Sequence, residues 1–177
     1  NEVYLLSTKE LFKFAANKPL LARCRLAFAQ AATDDINVAF GLADAVAANH
    51  IQDNGAGPVA SYSGALFFCV DGNVNWQVEA SITTTQTTAE LTAANSLDKV
   101  VHVAASGATT YQWLEIEAIP YSSTAQKINY YIDGVHVYAI DHTYTSATEM
   151  MLWVGLKLGG ATVENVLVDY LDCWQKR

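Results

Sequence analysis

From Leu21 onward, apolar and polar positions change places at almost every step. Ala22, Cys24, Leu26 and Phe28 alternate with Arg23 and Arg25, the period of a strand with one buried face. Strand-like runs recur at 36–40, 66–70, 76–82, 100–104, 111–119, 127–132, 135–140, 150–158 and 166–174. Between them stand turn residues: Asp34-Asp35, Asp71-Gly72, Ser106-Gly107, Asp133-Gly134 and Gly159-Gly160. Asn54-Gly55 and Gly57-Pro58 break a loop-like stretch, 41–64, whose alanine-rich part at 43–48 predicts one helical turn. Segment 83–88 reads as a strand or an exposed edge, and 89–97 fits no single pattern.

Residues 1–20 follow a different rule. Ser7 and Thr8 precede Lys9 and Glu10 like a helix cap, Leu11, Phe12 and Phe14 offer a short apolar face, and Pro19 ends the stretch. A helix this short is not stable alone, so the segment is expected to pack on its own domain or on a neighbour.

About ten to twelve short strands without a strand–helix–strand rhythm predict an all-β fold, a sandwich of two antiparallel sheets. Its expected division is an amino-terminal arm or short helix at 1–20 and one domain at 21–177. The length suits one domain with a sizeable core. An apolar fraction of 51% against 16% charged residues excludes overall disorder. The net charge of −8 argues against nucleic acid, and no apolar run is long enough for a membrane-spanning helix. Residues 1–30 lack the pattern of a signal peptide. Charge is uneven: residues 1–30 carry +3 and residues 31–177 carry −11. Sparse charge with many alanines and threonines suits permanent packing against other subunits, so a homo-oligomer is expected.

Cys24, Cys69 and Cys173 are an odd set in apolar surroundings. They predict buried free thiols and a reducing compartment, with no zinc spacing. Glu115 and Glu117 stand two apart on one strand and share a face, roughly 6–7 Å apart. A retaining glycosidase needs its pair about 5–5.5 Å apart, so the spacing is possible but loose for one, and both glutamates are expected to face solvent or a neighbouring subunit. Asp71-Gly72 and Asp133-Gly134 read as tight turns rather than calcium loops, although Asn73 follows the first. His142 beside Asp141 is a lone metal hint, and His50, His102 and His136 are scattered. No metal and no cofactor is expected. Trp76, Trp113, Trp153 and Trp174 all lie in strand-like runs and are expected in the core or an interface. Tyr130, Tyr131, Tyr138 and Tyr144 are the remaining group for an exposed aromatic patch.

Several motifs together resemble a known fold family. Phe40-Gly41-Leu42-Ala43-Asp44, Trp113-Leu114-Glu115-Ile116-Glu117, the hairpin from Tyr130 through Asp133-Gly134 to Val135, and the ending Leu167-Val168-Asp169-Tyr170-Leu171 resemble the concanavalin A-like (laminin-G-like) jelly roll. The resemblance covers roughly 20–177. Similar domains occur in lectins, glycoside hydrolases, adhesion modules and virion proteins of tailed bacteriophages. The glycosidases among them use a Glu-x-Asp-x-x-Glu pattern, and here Ile119 and Pro120 follow Glu117 and Ala118, so the third carboxylate is missing. The end of the chain, Val168-Asp169-Tyr170 and Trp174-Gln175-Lys176-Arg177, resembles the phage type. The resemblance therefore implies a non-enzymatic capsid decoration or cement protein. It would sit on the capsid surface, be assembled in the host cytoplasm, and contact the major capsid protein or other virion subunits. Lys9, Leu11, Phe12, Lys13, Phe14 and Lys18 on the arm, with Tyr130 and Tyr138, are the expected interface residues. The alternative it implies is a carbohydrate-binding, lectin-like module with a glycan as partner.

Overall fold

The computed structural model describes residues 2–29, 36–52, 55–104, 107, 109–145, 148–159 and 164–177. The expected turns at Asp34-Asp35, Asn54-Gly55, Ser106-Gly107 and Gly159-Gly160 fall wholly or partly outside them. Twelve strands are present among the described residues, and no helix. They are β1 (Glu2–Leu6), β2 (Phe12–Lys13), β3 (Leu20–Ala29), β4 (Ile36–Ala43), β5 (Gly64–Cys69) and β6 (Gln77–Ile82). β7 (Thr85–Glu90), β8 (Gln112–Pro120), β9 (Ala125–Ile132), β10 (Val135–Thr143), β11 (Glu149–Leu158) and β12 (Asn165–Gln175) follow. Two antiparallel sheets result, a larger one in the order β1-β11-β4-β5-β6-β7, with β2 also on β11, and a five-stranded one in the order β10-β9-β8-β3-β12.

The alternation read in the sequence decides which side chains enter the core. On β3, Leu20, Ala22, Cys24, Leu26 and Phe28 are buried between the sheets, and on β8 Leu114, Ile116 and Ala118 join them. Their neighbours Arg23, Arg25, Trp113, Glu115 and Glu117 are half-exposed on the other side. Burying the inner set is what drives the two sheets together. Asp133 (φ 51°) and Gly134 (φ 79°) form the expected type I′ turn between β9 and β10. At Asp71-Gly72 only Gly72 has positive φ (82°), so that turn is of another kind.

The amino-terminal segment departs from the expected helix. β1 and β2 both pair with β11. Between them the Ser7 hydroxyl donates to Lys9 O (2.9 Å) and accepts from the Leu152 N–H (3.2 Å). The hydroxyl that looked like a cap thus stitches the arm to a strand edge, where a ladder satisfies more backbone groups than one helical turn would. The arm is part of its own sandwich. Phe14 lies in the core, edge-on to His142 at 5.5 Å. Two further expected interface residues also face inward. Tyr130 is fully buried and its hydroxyl donates to Glu79 O at 2.7 Å. A bulge between His136 and Tyr138 places Tyr138 against the core. A second bulge lies between Val168 and Tyr170 on β12. Both edges of the five-stranded sheet are therefore irregular, a feature that discourages edge-to-edge pairing.

Candidate functional site

The outer face of the larger sheet is closed by the chain itself. Ala39, Ala43, Leu66, Phe68, Val70 and Trp153 project from it and form a second apolar cluster with Ile51 and Tyr62 of the covering segment. Trp153 meets His50 edge-on at 4.9 Å and Tyr4 at 5.8 Å, and His50 meets Tyr62 at 5.3 Å. Gly155 makes room for these rings: a Cβ there would fall 2.7 Å from Tyr4 Cδ1. Glu79 is only 4% exposed and accepts hydrogen bonds from the Tyr62 hydroxyl (2.7 Å), Gln86 Nε2 (2.9 Å) and the Thr88 hydroxyl. Burial raises its carboxyl above the usual range, although these donors pull the other way. Burial also lowers His50 to about 4, against the charge of Asp44. His50 Nε2 and Trp153 Nε1 find no hydrogen-bond partner among the described residues, so packing alone holds these two rings.

The outer face of the five-stranded sheet is open. Strand register arranges its side chains in rows. His136, Tyr131, Glu115, Arg23 and Asp172 are successive cross-strand neighbours from β10 to β12. The next row holds Trp113, Arg25 and Tyr170, and a third holds Asn129, Glu117, Leu21 and Trp174. Arg23 is fixed by a two-pronged pair with Asp172, Nε to Oδ1 at 3.1 Å and Nη2 to Oδ2 at 2.8 Å. The Tyr170 hydroxyl donates to the same Oδ2 at 2.8 Å. Partial burial would raise the Asp172 carboxyl, but these two donors hold it below its usual range. The bulge puts Asp169 beside Tyr170, and Asp169 pairs with Arg25. The Trp113 and Tyr170 rings lie 5.4 Å apart at 55°, and the Arg25 guanidinium stands 4.4 Å from the Tyr111 centroid. A cleft of about 340 Å³ opens here, lined by Arg23, Trp113, Glu115, Asp133 and Gly134. Glu117 Oε2 accepts from Asn129 Nδ2 and the Tyr131 hydroxyl, each at 3.1 Å. Glu115 accepts no hydrogen bond from the described residues and turns a charged acceptor toward the cleft.

No family model and no curated protein matches the sequence. Solved structures do match in shape. The metal-free carbohydrate recognition domain of Emp46p superposes with a TM-score of 0.65 at 9% identity, over 98% of this chain and 77% of that one. The endo-1,3-beta-glucanase of Streptomyces sioyaensis gives 0.62 at 14% identity, over 97% and 69%. The legume lectin-like domain of Entamoeba histolytica gives 0.57 at 10%, over 98% and 78%. The fold is a concanavalin A-like jelly roll of two antiparallel sheets.

On this jelly roll the residues singled out in the sequence are sorted by face. Glu115 and Glu117 share the open face, as their spacing predicts. The four tryptophans divide: Trp76 and Trp153 are buried, whereas Trp113 is half-exposed and Trp174 is 53% exposed. Tyr130 faces the core and Tyr131 the open side, where it stacks on His136 at 4.8 Å. Tyr144 is buried. His142 turns inward while Asp141 pairs outward with Lys127 at 3.1 Å, so the two cannot share an ion. Asn73 Oδ1 is occupied by the Asn75 N–H. Among the described residues no three His, Cys, Asp or Glu come together as a metal site. No disulfide joins Cys24, Cys69 and Cys173, the Cys69 thiol donates to Asn73 O at 3.1 Å, and burial raises the Cys24 thiol to about 12. Sequence reasoning overlooked Arg23, Tyr170 and Asp172, which become a unit only across β3 and β12. The outward alternation of Arg23 and Arg25 was the signal available for the first of them.

Proposed function

We propose that this jelly roll is a carbohydrate-binding module that holds a glycan on the outer face of its five-stranded sheet. The observation that carries the reading is the cleft where the Trp113 ring, the fixed Arg23 guanidinium and the Glu115 carboxylate converge on a face the described chain leaves uncovered. A sugar ring has an apolar C–H face and a rim of hydroxyls. An aromatic ring accepts the first, and a donor beside a charged acceptor accepts the second. Arg23 and Glu115 are directly opposed across β3 and β8, so they offer a donor and an acceptor to neighbouring hydroxyls.

Of the two expectations from the sequence, the shape likenesses favour the carbohydrate module over the capsid decoration protein. Binding without turnover suits the carboxyls better than hydrolysis does. Glu117 already receives two donors, and Glu79, whose carboxyl burial raises, lies under Tyr62 away from the cleft. The test is a glycan array followed by calorimetry with any neutral oligosaccharide that binds. Trp113→Ala and Glu115→Ala should each weaken binding about tenfold or more while the circular dichroism spectrum stays unchanged. Undiminished binding by both variants would place the glycan elsewhere, and product release from the bound sugar would make the protein an enzyme.

A further inference from the structure

The open face does not end at the Trp113 cleft. Along β12, Tyr170, Asp172 and Trp174 project on the same side, and Trp174 stands roughly 13 Å from Tyr170 at the usual strand rise. Trp174 also forms a wall of a groove of about 490 Å³, where the end of β12 meets the 11–18 segment. Leu11, Phe12, Lys18, Lys176 and Arg177 complete most of that wall, and no Asp or Glu lines it. In a chain with eighteen acidic and ten basic residues, a groove with three cations and no acid stands out.

The groove is built, not a chance meeting of lysines. Gln175 reaches back to the arm: its Oε1 accepts the Lys13 N–H at 3.2 Å, and its Nε2 donates to Lys13 O and to Lys18 O. The Lys176 N–H donates to Pro19 O at 3.0 Å. These bonds hold Lys18 and Lys176 in one groove wall. Leu11 (64% exposed) and Trp174 (53% exposed) give it apolar surface that solvent does not reward.

We propose that this groove is a second subsite of the same face, taking a hexuronic acid of a linear glycan: its ring against Trp174 and its carboxylate against Lys18, Lys176 and Arg177. The proposal rests on the carbohydrate-binding reading above and adds to it a ligand class and a length. Continuity through Trp174 requires a chain of several sugars, with the first subsite filled by a hydroxyl-rich unit and the second by an acidic one. Three cations with an aromatic ring suit a carboxylate-bearing sugar better than a neutral one, because the charge is met and the ring still stacks.

The experiment is calorimetry at low salt with three probes: a tetrasaccharide of neutral hexoses, a tetrasaccharide alternating hexosamine and hexuronate, and a tetraglutamate peptide. The alternating sugar should bind about tenfold tighter than the neutral one and lose that advantage as salt rises. The double substitution Lys18→Ala and Lys176→Ala should erase the advantage and leave the neutral sugar's affinity unchanged. The Lys18→Arg and Lys176→Arg pair should keep it. If the neutral sugar binds and the alternating one gains nothing, or if the alanine pair leaves the gain intact, the second subsite is wrong and the first reading stands. An equal affinity for tetraglutamate would show a charged patch without sugar recognition and also overturn the proposal. If neither sugar binds, both readings fall together.

Discussion

The two outer faces of this sandwich begin from different patterns: β4 and β5 are buried at every position, whereas β3 and β8 alternate buried with half-exposed side chains. On the larger sheet, β4 is buried along its whole length because Ile51, Tyr62 and their neighbours fold back over Phe68 and Trp153. On the five-stranded sheet, Trp113, Glu115, Arg23 and Tyr170 have no such cover. The closed face carries apolar outward positions and a buried acid, Glu79, satisfied by three donors. The open face carries rings and charges held by each other. A sheet has two faces, and a chain that covers one of them itself presents the other to partners. The closed side is expected to govern stability and the open side recognition.

The sharpest way to break this division is Trp153→Ala. Removing a fully buried indole should cost about 3–5 kcal/mol by denaturant unfolding. Glycan affinity of the fraction that stays folded should be unchanged; a selective loss of affinity would mean the closed face also binds.

The second effect is acid lability of the closed face. His50 titrates near 4 when folded and near 6.5 when unfolded, so the unfolded chain binds the extra proton between these values. Its contribution is fully present above about 6.5 and is lost as the pH falls toward 4, up to about 3 kcal/mol in all. Glu79 has the opposite sign: its raised carboxyl costs stability as the pH rises above 4.5 and through its folded range. His50→Gln should flatten the acid limb of a stability profile measured by urea unfolding, and Glu79→Gln should flatten the opposing one. An unchanged profile in both would show that neither group titrates differently in the unfolded chain.

On the open face, Trp113→Ala should reverse the pattern of Trp153→Ala. About 2 kcal/mol of glycan binding should go, with a change in unfolding free energy of about 1 kcal/mol or less. A large loss of stability instead would make Trp113 a structural ring. The smallest effect belongs to the exposed Arg25–Asp169 pair. Asp169→Ala should shift stability by roughly 0.5 kcal/mol or less, and a larger shift would mean the pair holds the β12 bulge in place.

Much of the fold was legible because the side-chain period of a strand is two, and a period is a local property. Ala22, Cys24, Leu26 and Phe28 announced an inner face, and Asp133-Gly134 announced its hairpin. The arm misled for an equally physical reason. Ser7, Leu11 and Phe14 satisfy the local signals of a helix cap and face, but the free edge of β11 offered a better home for their backbone. Tyr138 misled because a bulge changes the face without marking the sequence.

The sequence alone therefore determined most of the strands beyond residue 20, though not the expected one at 100–104, which is an isolated bridge at Val103, together with the class of fold and the placing of Glu115 and Glu117 on one side. Local alternation, composition and counting suffice for these. Tertiary structure alone decided which face was covered, that Arg23, Tyr170 and Asp172 form one unit with Trp113 beside them, and that Trp174 joins that face to the groove of Lys18 and Lys176. Those facts depend on register between strands up to 149 residues apart, as for Arg23 and Asp172. The pairing is set when two sheets close on a shared core, which no single stretch of chain can specify.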